Sequence, residues 1–171
     1  NIAITNGSQS SFGLLFNSLS GQYADGSFKR ILLPLTPEYV GYFDVGLAEQ
    51  PIFEGRRAEI DLLPQRQFKY RVDFERLKLN QDHGAVCVSR PTNPTGNVIT
   101  DGEMETLRGA CRAQNIPLIV DGAYGLPFPK YAPCLPTPLL HLLHWISIEV
   151  SPDQFSLQHG IINLSFFASM V

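Results

Sequence analysis

The stretch from Gly84 to Asp121 constrains the fold more than any other part of the chain. Gly84-Ala85-Val86-Cys87-Val88-Ser89 and Ile116-Pro117-Leu118-Ile119-Val120-Asp121 are two apolar runs, and apolar runs without alternation mark strands buried on both faces. Between them, Met104, Leu107, Ala110 and Cys111 fall on one face of a helix predicted from Asp101 to about Gln114. Thr100 with Glu103 three residues on reads as its capping box, and Pro117 stops the chain from continuing it. A strand, helix, strand unit of this kind closes right-handed into a parallel sheet. The fold class is therefore α/β, a mainly parallel sheet flanked by helices.

The rest of the chain extends this pattern. Asn1-Ile2-Ala3-Ile4-Thr5 reads as a short strand and Asn6-Gly7-Ser8-Gln9 as a turn, followed by a helix to about Ser20 that buries Phe12, Leu15, Phe16 and Leu19. Arg30-Ile31-Leu32-Leu33-Pro34 reads as a buried strand closed by proline, with Pro37 in the first turn of a following helix. Between Gln50 and Leu79, Ile52-Phe53 and Ile60-Asp61-Leu62-Leu63 suggest short strands, and Asp73-Phe74-Glu75-Arg76-Leu77 suggests a helical segment. From Lys130 the character changes: 42 residues carry only Lys130, Glu149 and Asp153 as charges, with four prolines and three of the four histidines. No clear helix or strand, helix, strand period continues there, so the chain divides into 1–129 and a tail, 130–171.

Composition narrows the function classes. At 171 residues the chain is long enough to bury a core. With 13 Lys+Arg against 16 Asp+Glu it presents no basic surface for nucleic acid. No apolar stretch reaches membrane-spanning length, so no membrane partner is expected. The first residues lack the plan of a signal peptide. Cys87, Cys111 and Cys134 are an odd, widely spaced set, which argues against disulfides and points to a cytoplasmic protein. His141, His144 and His159 lack the spacing and neighbouring carboxylates of a metal site. Beginning at Asn1 without Met, the chain is expected to be part of something longer.

In such a sheet, ligands bind beyond the carboxyl ends of the strands. Asn6-Gly7-Ser8-Gln9 leads from a strand into a helix N-terminus, where backbone N–H groups and the helix dipole favour a phosphate; the same turn also reads as a plain N-cap. Asn93 sits between prolines that stiffen its loop, or is simply a turn residue. Asp121 is a carboxylate at the margin of an apolar interior, costly unless it meets a partner; a cap or loop hydrogen bond is the other reading. Tyr124 follows three residues later, as a site residue or a packed aromatic.

Ser89-Arg90-Pro91-Thr92-Asn93-Pro94-Thr95-Gly96-Asn97, followed by Pro117-Leu118-Ile119-Val120-Asp121-Gly122-Ala123-Tyr124-Gly125, resembles the class I/II (fold-type I) aminotransferases, which use pyridoxal 5′-phosphate (PLP). The likeness runs over 1–129 and includes Thr5 to Ser10, Pro37 to Tyr42 and Phe128. It implies a partial fold-type I large domain that binds PLP and, in the full-length homodimer, moves an amino group between amino acid and 2-oxo acid substrates. It further implies that Gly7, Ser8 and Gln9 hold the phosphate and that Tyr39 stacks on the ring, with Tyr42 as the other candidate. Asn93 and Tyr124 would bond the 3′ oxygen, and Asp121 would pair with the pyridine nitrogen. Gly122 stands where relatives commonly carry a larger polar residue.

The resemblance also implies a lysine, a few dozen residues after Asp121, that attaches the cofactor covalently and moves protons. No lysine follows Lys130, which lies only nine positions beyond Asp121, and Ser151-Pro152-Asp153-Gln154-Phe155-Ser156 stands near where the motif should be. The chain is thus expected to be inactive alone. A non-catalytic PLP- or phosphate-binding remnant and another fold-type I enzyme, such as a carbon–sulfur lyase, are the alternatives. The tail reads as divergent or frameshifted, and the unpaired edges of a truncated sheet predict association or poor solubility.

Overall fold

The computed structural model describes residues 2–124, 143–149 and 165–169. In chain order the elements are β1 (Ile2–Thr5), α1 (Ser8–Leu19), β2 (Gly21–Gln22), β3 (Phe28–Thr36), a 3-10 helix (Val40–Val45), β4 (Phe53–Arg57), β5 (Glu59–Leu63), β6 (Gln67–Arg71), β7 (His83–Ser89), α2 (Asp101–Ala113), β8 (Leu118–Asp121), β9 (Leu143–Glu149) and β10 (Ser165–Ser169). The main sheet runs β1-β10-β9-β8-β7-β3-β2, with β4 also on β3. Its core, β4, β3, β7 and β8, is parallel; β9 is antiparallel to β8 and β10 to β9. These two reversals cancel, and β1, parallel to β10, points the same way as β8.

Alternation along the core strands sends side chains to two separate cores. Ile31, Ala85, Cys87 and Ile119 face α1 and join Phe12, Leu15 and Phe16 from it. Leu32, Val86, Val88 and Leu118 face the other way and pack with Leu107 and Cys111 of α2. Burying each large aliphatic or aromatic side chain here contributes about 1.5–3 kcal/mol, so the sheet is held from both faces, as the two apolar runs required. The capping box at α2 is present: Thr100 Oγ accepts from the Glu103 N–H at 3.2 Å and the Thr100 N–H donates to Glu103 Oε2 at 2.9 Å.

Four local expectations are corrected. Pro34 does not close its strand, which continues to Thr36; the partner strands beside β3 stay in reach even where one ladder donor is missing. Pro37 starts no α-helix, because the helical turn begins only at Val40 and is of the 3-10 kind. Asp73 to Leu77 make a turn rather than a helix, with Asp73 Oδ1 accepting from the Arg76 N–H at 3.1 Å in competition with helical bonding. The tail supplies β9 and β10 to the sheet, although no period was legible there. Phe128, Lys130, Cys134, His141, His159 and Ser151 to Ser156 lie outside the described residues, and of His144 only its place on β9 is described.

Gly84 fixes how α1 meets the sheet. A Cβ built there would lie 1.5 Å from the Leu19 carbonyl oxygen, a backbone atom that cannot swing aside. Gly84→Ala is expected to lower unfolding stability by at least roughly 2 kcal/mol in urea denaturation. Gly109 lies inside α2 with nothing within 4 Å of an added Cβ, so Gly109→Ala should raise stability by up to about 1 kcal/mol. Equal effects at the two glycines would contradict this packing.

Candidate functional site

Because β1, β3, β7 and β8 share one direction, the segments that leave their carboxyl ends share one edge of the sheet. These are the turn at Gly7, residues 37–42, the loop 90–97 and residues 122–124.

Asp121 closes β8, side by side in register with Ser89 at the end of β7. It is 4% exposed, and both of its carboxylate oxygens accept hydrogen bonds: Oδ2 from the Tyr42 hydroxyl at 2.6 Å and Oδ1 from the Ala123 N–H at 2.9 Å. Tyr42 is 1% exposed, with its ring centroid 4.9 Å from Phe12 and 5.2 Å from Phe16. Burial, then the neighbouring Cys87, Asp121 and Glu38, push the Tyr42 phenol well above its ordinary value, so the hydroxyl stays a donor. Tyr42 is thereby committed to the carboxylate. Tyr39 is the freer of the two aromatic candidates, partly buried and edge-on to Tyr42 at 5.3 Å. Its ring lies over Gly41, where an added Cβ would come within 2.4 Å of it.

The loop after β7 is held by its own backbone. The Arg90 N–H donates to the Asp121 carbonyl at 2.9 Å, and Arg90 Nε donates to the Ile99 carbonyl at 2.7 Å. The Thr92 hydroxyl donates to the Ser89 carbonyl at 2.9 Å, and the Gly96 N–H to the Thr92 carbonyl at 2.7 Å. Gly96 takes a φ of 67°, the left-handed region that glycine enters without strain. This frame holds Asn93 so that its Nδ2 donates to the Tyr124 hydroxyl at 3.4 Å. Both residues line a cleft of about 550 Å³ with Pro91, Thr92, Pro94, Gly96 and Val98. Asp121 is not among the lining residues; Tyr124, 47% exposed, stands on the open side.

At the start of α1, Gly7 serves as N-cap at φ 95°, and no side chain caps the helix. Among the described residues, an added Cβ at Gly7 meets nothing within 4 Å, so the space beside Gly7 at the first turn is open. The Gln9 side chain is engaged within the protein: its Nε2 donates to the Gly41 carbonyl at 2.7 Å and ties the helix start to residues 39–42. The link from the Gly7 turn to Asp121 therefore runs through Gln9, Gly41 and Tyr42.

Glu38 was not singled out as a site residue, yet it is built into this edge. Its carboxyl accepts from the Ser89 N–H at 3.0 Å, the Ser89 hydroxyl and the Tyr39 N–H at 3.1 Å. Burial raises Glu38 from its ordinary 4.5 to about 7; the Ser89 and Tyr39 hydrogen bonds oppose the rise and the nearby Asp121 adds to it. Only the burial could have betrayed it, and a Glu two residues beyond a strand carries no such signal in the sequence.

That shift has a signed consequence for stability. The folded chain holds the Glu38 proton more tightly than the unfolded chain, so the contribution is intact below about pH 4.5 and is lost as pH rises through about 7. Glu38→Gln removes the titration, and its stability relative to the parent chain should improve from pH 5 to pH 8 by up to about 3 kcal/mol, at about 1.4 kcal/mol per pKa unit. Urea unfolding at the two pH values checks this; a difference that does not change with pH would contradict it.

Comparison with known proteins fits this geometry. The family model described as "Aminotransferase class I and II" matches residues 50–131. The chain is 57% identical over 129 residues to valine–pyruvate aminotransferase of Escherichia coli K12, covering 75% of this chain and 31% of that protein. Among solved structures, a candidate amino-acid aminotransferase from Psychrobacter arcticum 273-4 superposes with a TM-score of 0.66 at 49% identity, over 73% of this chain and 31% of its own. Valine–pyruvate aminotransferase from Salmonella typhimurium LT2 does so with a TM-score of 0.64 at 43% identity, over 95% of this chain and 34% of its own. The chain thus spans about a third of the length of the relatives it matches. With the strand-end asparagine and aspartate on one edge of a matching fold, the chain is similar to the class I and II aminotransferases over about a third of their length.

Proposed function

We propose that this chain is the cofactor-holding part of a PLP-dependent aminotransferase that, at full length, transfers an amino group from an amino acid to a 2-oxo acid, of the valine–pyruvate type. The observation that carries the reading is Asp121, a buried carboxylate oriented by Tyr42 and Ala123 at the strand edge where the uncapped α1 N-terminus also lies. Its support in kinship is the 57% identity to a valine–pyruvate aminotransferase.

The residues fit PLP on two structural observations. The open first turn of α1 at Gly7 suits a phosphate, and Asp121 is held ready for a cationic ring nitrogen. Gly7, Ser8 and the backbone of Gln9 would bind the phosphate, Tyr39 the ring face, and Asn93 with Tyr124 the 3′ oxygen. Bound PLP supplies an electron sink for charge developing at the α carbon of an amino acid. Asp121 would keep the ring nitrogen protonated, and each pKa unit by which it did so would be worth about 1.4 kcal/mol. Tyr42 fixes the carboxylate and excludes water from beside it.

A second reading, a binding remnant without turnover, is favoured for this chain alone by one fact: no lysine follows Lys130. We infer that residues 1–129 are the family-derived large-domain part and 130–171 a divergent or frameshifted tail, supported by the end of the family match at residue 131 and by the 129-residue alignment. DNA read in the frame that aligns the tail with full-length relatives would sink the frameshift. The cysteine usage supports a cytoplasmic setting, and we take the full-length protein to be a homodimer.

Titrating the chain with PLP tests the cofactor reading. The parent chain is expected to bind saturably without a borohydride-stable attachment, and Asp121→Asn to weaken binding roughly tenfold, the equivalent of about one pKa unit of lost pairing. Equal affinity in the two proteins would remove Asp121 from the site.

A further inference from the structure

Side chains of α1 hold the segment that carries Tyr39 at both of its ends. At one end Gln9 Nε2 donates to the Gly41 carbonyl at 2.7 Å. At the other, Asn17 Nδ2 donates to the Val45 carbonyl at 2.7 Å, and Asn17 Oδ1 accepts from the Leu47 N–H at 2.9 Å. Between them Phe12 and Phe16 pack on the Tyr42 ring. Positions 9, 12, 16 and 17 lie on one side of a helix. Residues 39–47 therefore ride on the same helix whose first turn follows Gly7.

Within that segment Tyr39 is fixed by its backbone and by its ring. Its N–H donates to Glu38 Oε1 at 3.1 Å, and its carbonyl accepts from the Tyr42 N–H at 3.2 Å. The ring stands edge-on to Tyr42 with centroids 5.3 Å apart. Its outer edge lies on Gly41: a Cβ built there would come within 2.4 Å of Tyr39 Cε1, 2.6 Å of Cζ and 2.7 Å of the hydroxyl oxygen. Any side chain at 41 would push the ring away, so glycine is the condition for its place. The residue that seats the ring is thus the residue whose carbonyl Gln9 holds.

We propose that Gln9 and Gly41 are positioning residues that set the spacing between an anion at the Gly7 turn and an aromatic ring stacked on Tyr39. The inference rests on the cofactor reading above and gives the Gln9 amide and Gly41 a task in it. A ligand that carries a phosphate and a planar ring on one frame must meet both halves of the site at once. A platform already in place spares the entropy of ordering it on binding. The Gln9 amide, spent on the Gly41 carbonyl, acts on the ligand through residues 39–41 and not as a phosphate ligand.

The test is a pair of double-mutant cycles on the binding of pyridoxamine 5′-phosphate, which carries both groups and no aldehyde to react with lysine, measured by equilibrium dialysis. Gly41→Ala should weaken binding roughly fivefold, the loss of one stacked aromatic contact. Gln9→Met keeps the length of the side chain and removes the donor, and should also weaken binding roughly fivefold, the loss of one neutral hydrogen bond. Tyr39→Ala should weaken it roughly tenfold. In the Tyr39→Ala background both other losses should fall below about twofold, since no ring remains to be placed. A loss of about twofold or more that persists there would overturn the proposal, and for Gln9 it would mean that the amide meets the phosphate directly. Unchanged binding by Gly41→Ala and Gln9→Met, or by Tyr39→Ala, would overturn it as well and leave the cofactor reading on Asp121 intact. Failure of the parent chain to bind would overturn the cofactor reading, and this inference with it. Gln9 is exposed, so its cycle decides the matter should Gly41→Ala not fold.

Discussion

A buried carboxylate at the end of a parallel strand is the constraint around which the site is arranged. Asp121 lies at the margin of the core that α1 covers, where leaving it unsatisfied would cost several kcal/mol. The structure meets that cost with a tyrosine brought from 79 residues away in sequence. The Tyr42 ring that reaches it is packed against Phe12 and Phe16 of α1 and against Tyr39 and Phe53. One contact therefore joins the helix that would hold a phosphate, the segment that carries Tyr39 and the strand that carries Asp121. The sheet supplies the common edge, and this bond sets the distances along it.

Strong periodicity made much of the fold legible. The strands at Gly84 and Ile116, and both helices, have patterns in which burial, spacing and capping agree, and they formed as read, with small shifts at their ends. Where one signal stood alone it misled. Pro34 reads as a stop, but the ladder tolerates it within β3. Asp73 to Leu77 had the spacing of a helical turn without a stripe long enough to bury. β6 went unread because Gln67 to Arg71 is polar and pairs only with β5 in a small separate sheet. The tail strands β9 and β10 are defined by long-range pairing that no local pattern announces.

The site was legible to a different degree. Gly7, Asn93, Asp121 and Tyr124 stood out because strand ends and helix starts are where such residues acquire a use. Spacing does not separate Tyr39 from Tyr42, since both are tyrosines in one short segment; they differ in burial, Tyr42 being 1% exposed and Tyr39 only partly buried. Glu38 escaped because its meaning arises from burial beside Ser89 and Asp121, a property of packing and not of spacing. Several large apolar side chains near this edge, Val40, Phe43 and Leu47 among them, face solvent in the chain.

The Tyr42 hydroxyl and the Asp121 carboxylate act as one unit. A double-mutant cycle of Tyr42→Phe, Asp121→Asn and the pair, read by urea unfolding at constant pH, measures that coupling directly. A hydrogen bond from a neutral donor to a buried carboxylate predicts a coupling energy of about 1.5–3 kcal/mol. Effects that simply add, within about 0.5 kcal/mol, would mean that the two side chains are neighbours without being partners, and the arrangement of the site would need another cause.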